Sequence, residues 1–231
     1  MAKFKNPPLN LVTLRLTIPP NLKVSELRSG YFELIKSDFP LIIFPEARSL
    51  AFDFSDCHFR NTKNDAQVRI STNYFLYETT NYQEVSAFWE GFSKVFSKFL
   101  DFYQIKEVTS FGLNYQNILL ANEKAVGEDF RDYFSFKINF KNKSQRSLLT
   151  CDGAFIYSTQ EGNLKIDIRP RMNQQTKLWD ALFFTIELLN EKQIPVDASL
   201  GSIKSMFDKA HAHVEDAFLS SLTDKYLKTI Q

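Results

Sequence analysis

Between Val85 and Phe102 the side chains of Val85, Phe88, Phe92, Val95, Phe96, Phe99 and Phe102 recur at steps of three and four residues. This spacing puts them on one side of an α-helix. A stripe built almost wholly of rings cannot be left in water, because each large apolar side chain gains about 1.5–3 kcal/mol on burial. A second apolar surface is therefore required, and the flanking sequence offers strands with one buried face. Leu14, Leu16 and Ile18 alternate with Arg15 and Thr17 and stop at Pro19-Pro20, while Leu50, Phe52 and Phe54 alternate with Ala51, Asp53 and Ser55. The ring stripe is expected to lie on a sheet made of such strands. Gly91 interrupts the stripe at a cost of about 1 kcal/mol relative to Ala, which points to a close crossing with a neighbouring element.

The remaining periodicities extend this arrangement. A helix is expected over about residues 25–37, a third strand from about Val68 to Glu78, and a fourth over Val108–Leu119. Asn81 followed by Glu84 has capping-box spacing and marks the expected start of the ring-bearing helix. The order strand, helix, strand, strand, helix, strand suits a ferredoxin-like unit. Further on, Phe134, Phe136, Ile138 and Phe140 alternate with polar residues, and Asp152-Gly153 and Glu161-Gly162-Asn163 are turn signals. A strand is expected over Leu164–Arg171, and helices over Thr176–Lys192 and Ile203–Leu219. The fold class is α+β in two tightly packed halves, 1–126 and 127–231, the second an antiparallel sheet followed by two helices. A length of 231 residues accommodates both.

Charge and motif content narrow the functions. The net charge of +1 provides no global field for nucleic acid or anionic membrane. The N-terminal MAKFKNPPLN has no apolar signal core, and the apolar run Leu41-Ile42-Ile43-Phe44 is far shorter than a membrane span. A cytoplasmic protein without membrane contact is expected, and two cysteines as distant as Cys57 and Cys151 fit a reducing compartment. The seven glycines satisfy neither phosphate-loop pattern, and GxSxG and HExxH are missing. Cys57 and His58, adjacent on a strand, point to opposite faces. On a helix His211 and His213 stand about 160° apart and cannot share an ion. No catalytic residue, metal or cofactor is expected.

One region is locally charged. Residues 131–177 hold nine Lys and Arg against four Asp and Glu, whereas 178–231 hold five against eight. On the strand Leu164–Arg171 the apolar Leu164, Ile166 and Ile168 face one way, so Lys165, Asp167, Arg169 and Arg171 face the other. A neighbouring strand would add Lys137, Lys141 and Lys143. This predicts a basic sheet face that binds another protein of acidic character. Nucleic-acid binding on the same face is the alternative, and solvated surface with cross-strand ion pairs is the plainest reading. No exposed ring is interleaved with these charges, which argues against single-stranded nucleic acid.

Three separated motifs carry a resemblance. Leu76-Tyr77-Glu78-Thr79-Thr80-Asn81-Tyr82, Gly112-Leu113-Asn114-Tyr115-Gln116-Asn117, and the stretch from Ala210-His211 to Phe218 with Thr223-Asp224 together resemble a sporadically distributed prokaryotic family of uncharacterised proteins of about 250 residues. The likeness runs from Pro7-Pro8 over nearly the whole chain. The family's central motif has Arg where Asn114 stands. The resemblance implies no activity or cofactor. Its patchy distribution implies an accessory or regulatory role in mobile antiviral defence or toxin–antitoxin systems. Glu78, Thr79, Tyr82, Gly112, Asn114, Tyr115, Asn117 and His211 are read as structural positions.

Overall fold

In the computed structural model of the chain, residues 8–43, 56–120, 134–135, 153–172, 179–190 and 195–230 are described. The elements run β1 (Leu9–Thr17), α1 (Lys23–Glu26), α2 (Arg28–Ile35), β2 (Leu41–Ile43), β3 (Cys57–Arg60), β4 (Ala66–Ser71), β5 (Tyr74–Thr79), α3 (Val85–Tyr103), β6 (Glu107–Val108), β7 (Ser110–Leu120), β8 (Gly153–Ser158), β9 (Asn163–Met172), β10 (Trp179–Asn190), β11 (Val196–Asp197), α4 (Leu200–Ser221) and α5 (Asp224–Ile230). Among these, nine strands form one sheet in the order β2-β3-β4-β5-β1-β7-β10-β9-β8, every neighbouring pair being antiparallel. β6 and β11 pair apart from it. The fold is α+β, a large antiparallel sheet with helices at its C-terminal end.

The ring stripe finds the sheet it requires. Phe92, Phe96 and Phe99 are fully buried and pack on Phe75 of β5 with ring centroids 5.9, 5.0 and 5.0 Å away. Tyr31 of α2 fits edge-on between Phe59 of β3 and Phe99. α4 covers the other half of the same side, where Phe218 stacks on Phe184 of β10. Val12, Leu14, Leu16, Leu113, Ile186 and Leu188 complete this buried layer. Their neighbours in sequence point to the opposite side of the sheet. Gly91 marks the expected close crossing: a Cβ there would meet the Tyr77 hydroxyl at 2.4 Å.

Several expected elements take other forms. The single strand expected over Val68–Glu78 is the hairpin β4–β5, turning at Thr72-Asn73, because a two-residue polar turn reverses the chain without disturbing alternation on either side. The helix expected over Thr176–Lys192 is largely β10. Leu182, Ile186 and Leu189 keep helical spacing, but Leu182, Phe184, Ile186 and Leu188 also alternate, and pairing with β7 and β9 on both edges decides for the strand. Asn81 does not cap α3. The cap position is Glu84, without a side-chain cap bond, and Asn81 instead donates to Asp65 and accepts from Gln83. The strands expected over Leu50–Phe54 and Phe134–Phe140 lie outside the described residues except for Phe134-Ser135, where Phe134 bridges to Leu222.

Candidate functional site

The side of the sheet away from α2, α3 and α4 carries the charged residues. Towards its β8 edge lies a shallow concavity of about 480 Å³, lined by Asn114 and Gln116 of β7, Lys165, Asp167 and Arg169 of β9, and Phe183, Thr185 and Glu187 of β10. Strict alternation puts them there: Thr185 lies between Gln116 and Asp167 in register, and Glu187 between Asn114 and Lys165. Arg169 grips Asp167 with a fork, Nε at 3.0 Å and Nη2 at 2.8 Å, and Lys165 adds a contact at 3.3 Å. The Asp167 side chain is 13% exposed beneath bases that are 39% and 65% exposed. The hydrogen bond from Arg169, followed by that from Lys165, holds its carboxyl below the usual carboxylate range. The expected basic row therefore carries its own sunken counter-ion.

A second polar ladder crosses the other half of this face. Glu78 accepts from Arg69 at 3.0 Å and from the Gln67 amide. Arg60 donates to Gln67 at 3.3 Å and to Asn64 at 2.7 Å. The Nε of Arg69 is buried with no hydrogen-bond partner. On the central strand β1, Arg15 lies over the Tyr74 ring, 4.4 Å from its centroid, and the Tyr74 hydroxyl donates to Asp56. Burial, then that bond, pushes the hydroxyl above the ordinary tyrosine range. Arg15 and Glu187 have no ion pair with any described residue.

The motif residues divide between the two sides. Glu78, Gly112 and Asn114 stand on the open face. Thr79, Tyr115 and Asn117 face the helices, and there the separated motifs meet at one node. The Tyr82 hydroxyl lies 3.2 Å from that of Tyr115, which is 2.8 Å from Nδ1 of His211 on α4. His211 is 9% exposed and stacks on Phe207. Its Nε2 has no hydrogen-bond partner, the Glu215 carboxylate being 3.8 Å away. Burial lowers the imidazole below its ordinary value, against the pull of Glu215 and Asp208, and burial also pushes the Tyr115 hydroxyl well up. Asn117 donates to the Phe184 carbonyl at 3.1 Å and Thr79 to the Asp65 carbonyl at 2.8 Å. The Tyr82–Tyr115–His211 chain ties the loop before α3 and α4 to the sheet, whereas the Asn117 bond joins β7 to β10 and the Thr79 bond joins β5 to the loop before β4.

The remaining expected positions are quickly placed. His213 turns away from His211 to Glu161 at 2.7 Å. Cys57 faces the core, where burial raises its thiol, while His58 points to the opposite side beside Arg69. Among the described residues no group of three His, Cys, Asp or Glu is placed to hold a metal ion. No described helix is long and apolar enough to cross a membrane. Lys137, Lys141 and Lys143 lie outside the described residues, as does the Arg171 side chain. Sequence reasoning did not single out Arg15, Arg69 or Glu187, although Arg15 stood in plain alternation with Leu14 and Leu16. No protein-family model matches the chain, and no curated protein matches it.

Proposed function

We propose that this chain is a non-catalytic binding protein whose partner is another protein, docked on the open face of the nine-stranded sheet. The observation that carries the reading is the make-up of that face. Raised bases stand over a sunken acid in a polar concavity, and half-buried Leu76, Ile118, Phe183 and Leu189 lie among them. Protein interfaces mix apolar area with hydrogen-bonding groups in this way. A phosphate backbone offers neither a cation for Glu187 nor an apolar surface for Phe183.

The strand order β4-β5-β1-β7 with crossovers α2 and α3 supports reading that block as a ferredoxin-like unit extended by β2 and β3. The family resemblance carried by the motifs of Tyr82, Tyr115 and His211 brings with it, as part of this reading, a cytoplasmic regulatory role in a mobile defence system. Replacing Lys165 and Arg169 by Ser tests the face. A partner recovered from a native host should bind the double variant more weakly, and more weakly still at high salt, with circular dichroism checking that the sheet still forms once Asp167 has lost these two bases. A partner held equally well by the variant refutes the reading. Gel-shift binding of generic DNA or RNA, with a salt slope falling by about one per cation removed, would transfer it to nucleic acid.

A further inference from the structure

Arg15 and Glu187 are opposite charges on one face, each without an ion pair among the described residues, two strand spacings across and two residues along, about 12 Å apart. The Arg15 guanidinium lies over the Tyr74 ring, 4.4 Å from its centroid, a cation–π contact that leaves N–H donors available to a carboxylate. Glu187 is half-buried in the concavity. A surface that presents one unsatisfied base and one unsatisfied acid is its own electrostatic complement. A twofold axis lying in the interface, crossing the midpoint of the line between them, sets each Arg15 on the other copy's Glu187. That axis crosses β7 between Gly112 and Asn114, where the Leu189 side chain lies over Gly112.

We propose that the partner on the open face is a second copy of this chain, bound face to face through paired Arg15–Glu187 contacts. This rests on the open face being the binding surface. The seven strands of six residues or more, at about 4.8 Å across and about 3.4 Å per residue, offer roughly 700 Å² per copy, within the range of a standard stable interface. The half-buried Leu76, Ile118, Phe183 and Leu189 supply the apolar contact, and the two charge pairs set register and partner choice. An all-acidic partner or a nucleic acid would bring like charge onto Glu187, whose cationic neighbour in register, Lys165, is drawn to Asp167.

Charge exchange tests this with the full chain alone. By analytical ultracentrifugation at about 100 μM the wild type should have twice the chain mass. Arg15→Glu and Glu187→Arg should each place like charges together twice per dimer and weaken it by about 100-fold or more. An equimolar mixture of the two variants restores both attractive contacts and should return the dimer. Misfolded variants could not rescue one another in this way, so the mixture also controls for folding. A monomeric wild type, a dimer indifferent to both variants, or variants that fail to rescue each other overturns the proposal. A monomeric wild type still leaves the face available to a different protein, which the Lys165 and Arg169 replacements address separately.

Discussion

Replacing Tyr115 by Phe removes one oxygen from the place where three distant segments meet. The ring and its packing at 5.6 and 5.7 Å from Tyr82 and His211 stay, so the perturbation is confined to two hydrogen bonds. The bond to His211 is buried, and its loss costs about 0.5–1.5 kcal/mol directly. The imidazole already has one nitrogen without a partner. Leaving Nδ1 unsatisfied as well adds about 1–3 kcal/mol, while the half-buried Tyr82 hydroxyl can turn to water. The total is about 1.5–4.5 kcal/mol, or a melting-temperature drop of about 3–18 °C for a chain of this size. Urea unfolding followed by circular dichroism measures it, and Tyr82→Phe, at the wet end of the chain, should cost under about 1 kcal/mol. If Tyr115→Phe comes within about 0.5 kcal/mol of wild type, the node does not hold α4 to the sheet.

Acidification should act on the same node. Because burial keeps the folded His211 imidazole below its ordinary value, the unfolded chain takes the proton first. Its stabilising contribution is complete above about pH 6.5 and is lost as pH falls through the folded value. His58, also lowered by burial, acts with the same sign, so His211→Asn should flatten only part of the decline in a pH series of thermal melts. Gly91→Ala sets two effects against each other. Helix propensity gains about 1 kcal/mol, but the new Cβ meets the Tyr77 hydroxyl at 2.4 Å, and overpacking costs about 1–3 kcal/mol. A net loss is expected in wild type, and a neutral or stabilising change in a Tyr77→Phe background. Equal effects in both backgrounds would show that the hydroxyl is not the obstacle.

What the sequence disclosed follows the range of the forces that decide each feature. The α3 stripe and the strands β1 and β9 were legible because their periodicity is local and one face of each is buried in one layer. β10 was not legible. Its outward Phe183 and Leu189 blur the alternation, and the neighbours on both edges that settle its form come from residues 110–120 and 163–172. Asn81 had the right spacing for a cap, but its side-chain oxygen accepts from Gln83, while Asp65 in the loop before β4 takes its amide. The charged face was legible in position. Asp167 was seen to share the face with Lys165 and Arg169, yet nothing in spacing says that it lies lower than they do. The motif residues were visible as a set, but only their distribution over the two sides of β5 and β7 separates the open face from the buried node.

The seam between β7 and β10 bears on how the chain is made. β7 has β1 on one edge and β10 on the other, and β10 is synthesised about sixty residues later. During translation the six strands β2-β3-β4-β5-β1-β7 can assemble while the outer edge of β7 waits with unsatisfied amides and carbonyls beside Leu113, Ile118 and Leu119. Such an edge recruits any extended segment it meets. A ribosome stalled before residue 179, or a gene truncated there, would therefore release a nearly complete sheet with a sticky margin, and the arrival of β10 is the step that ends that exposure.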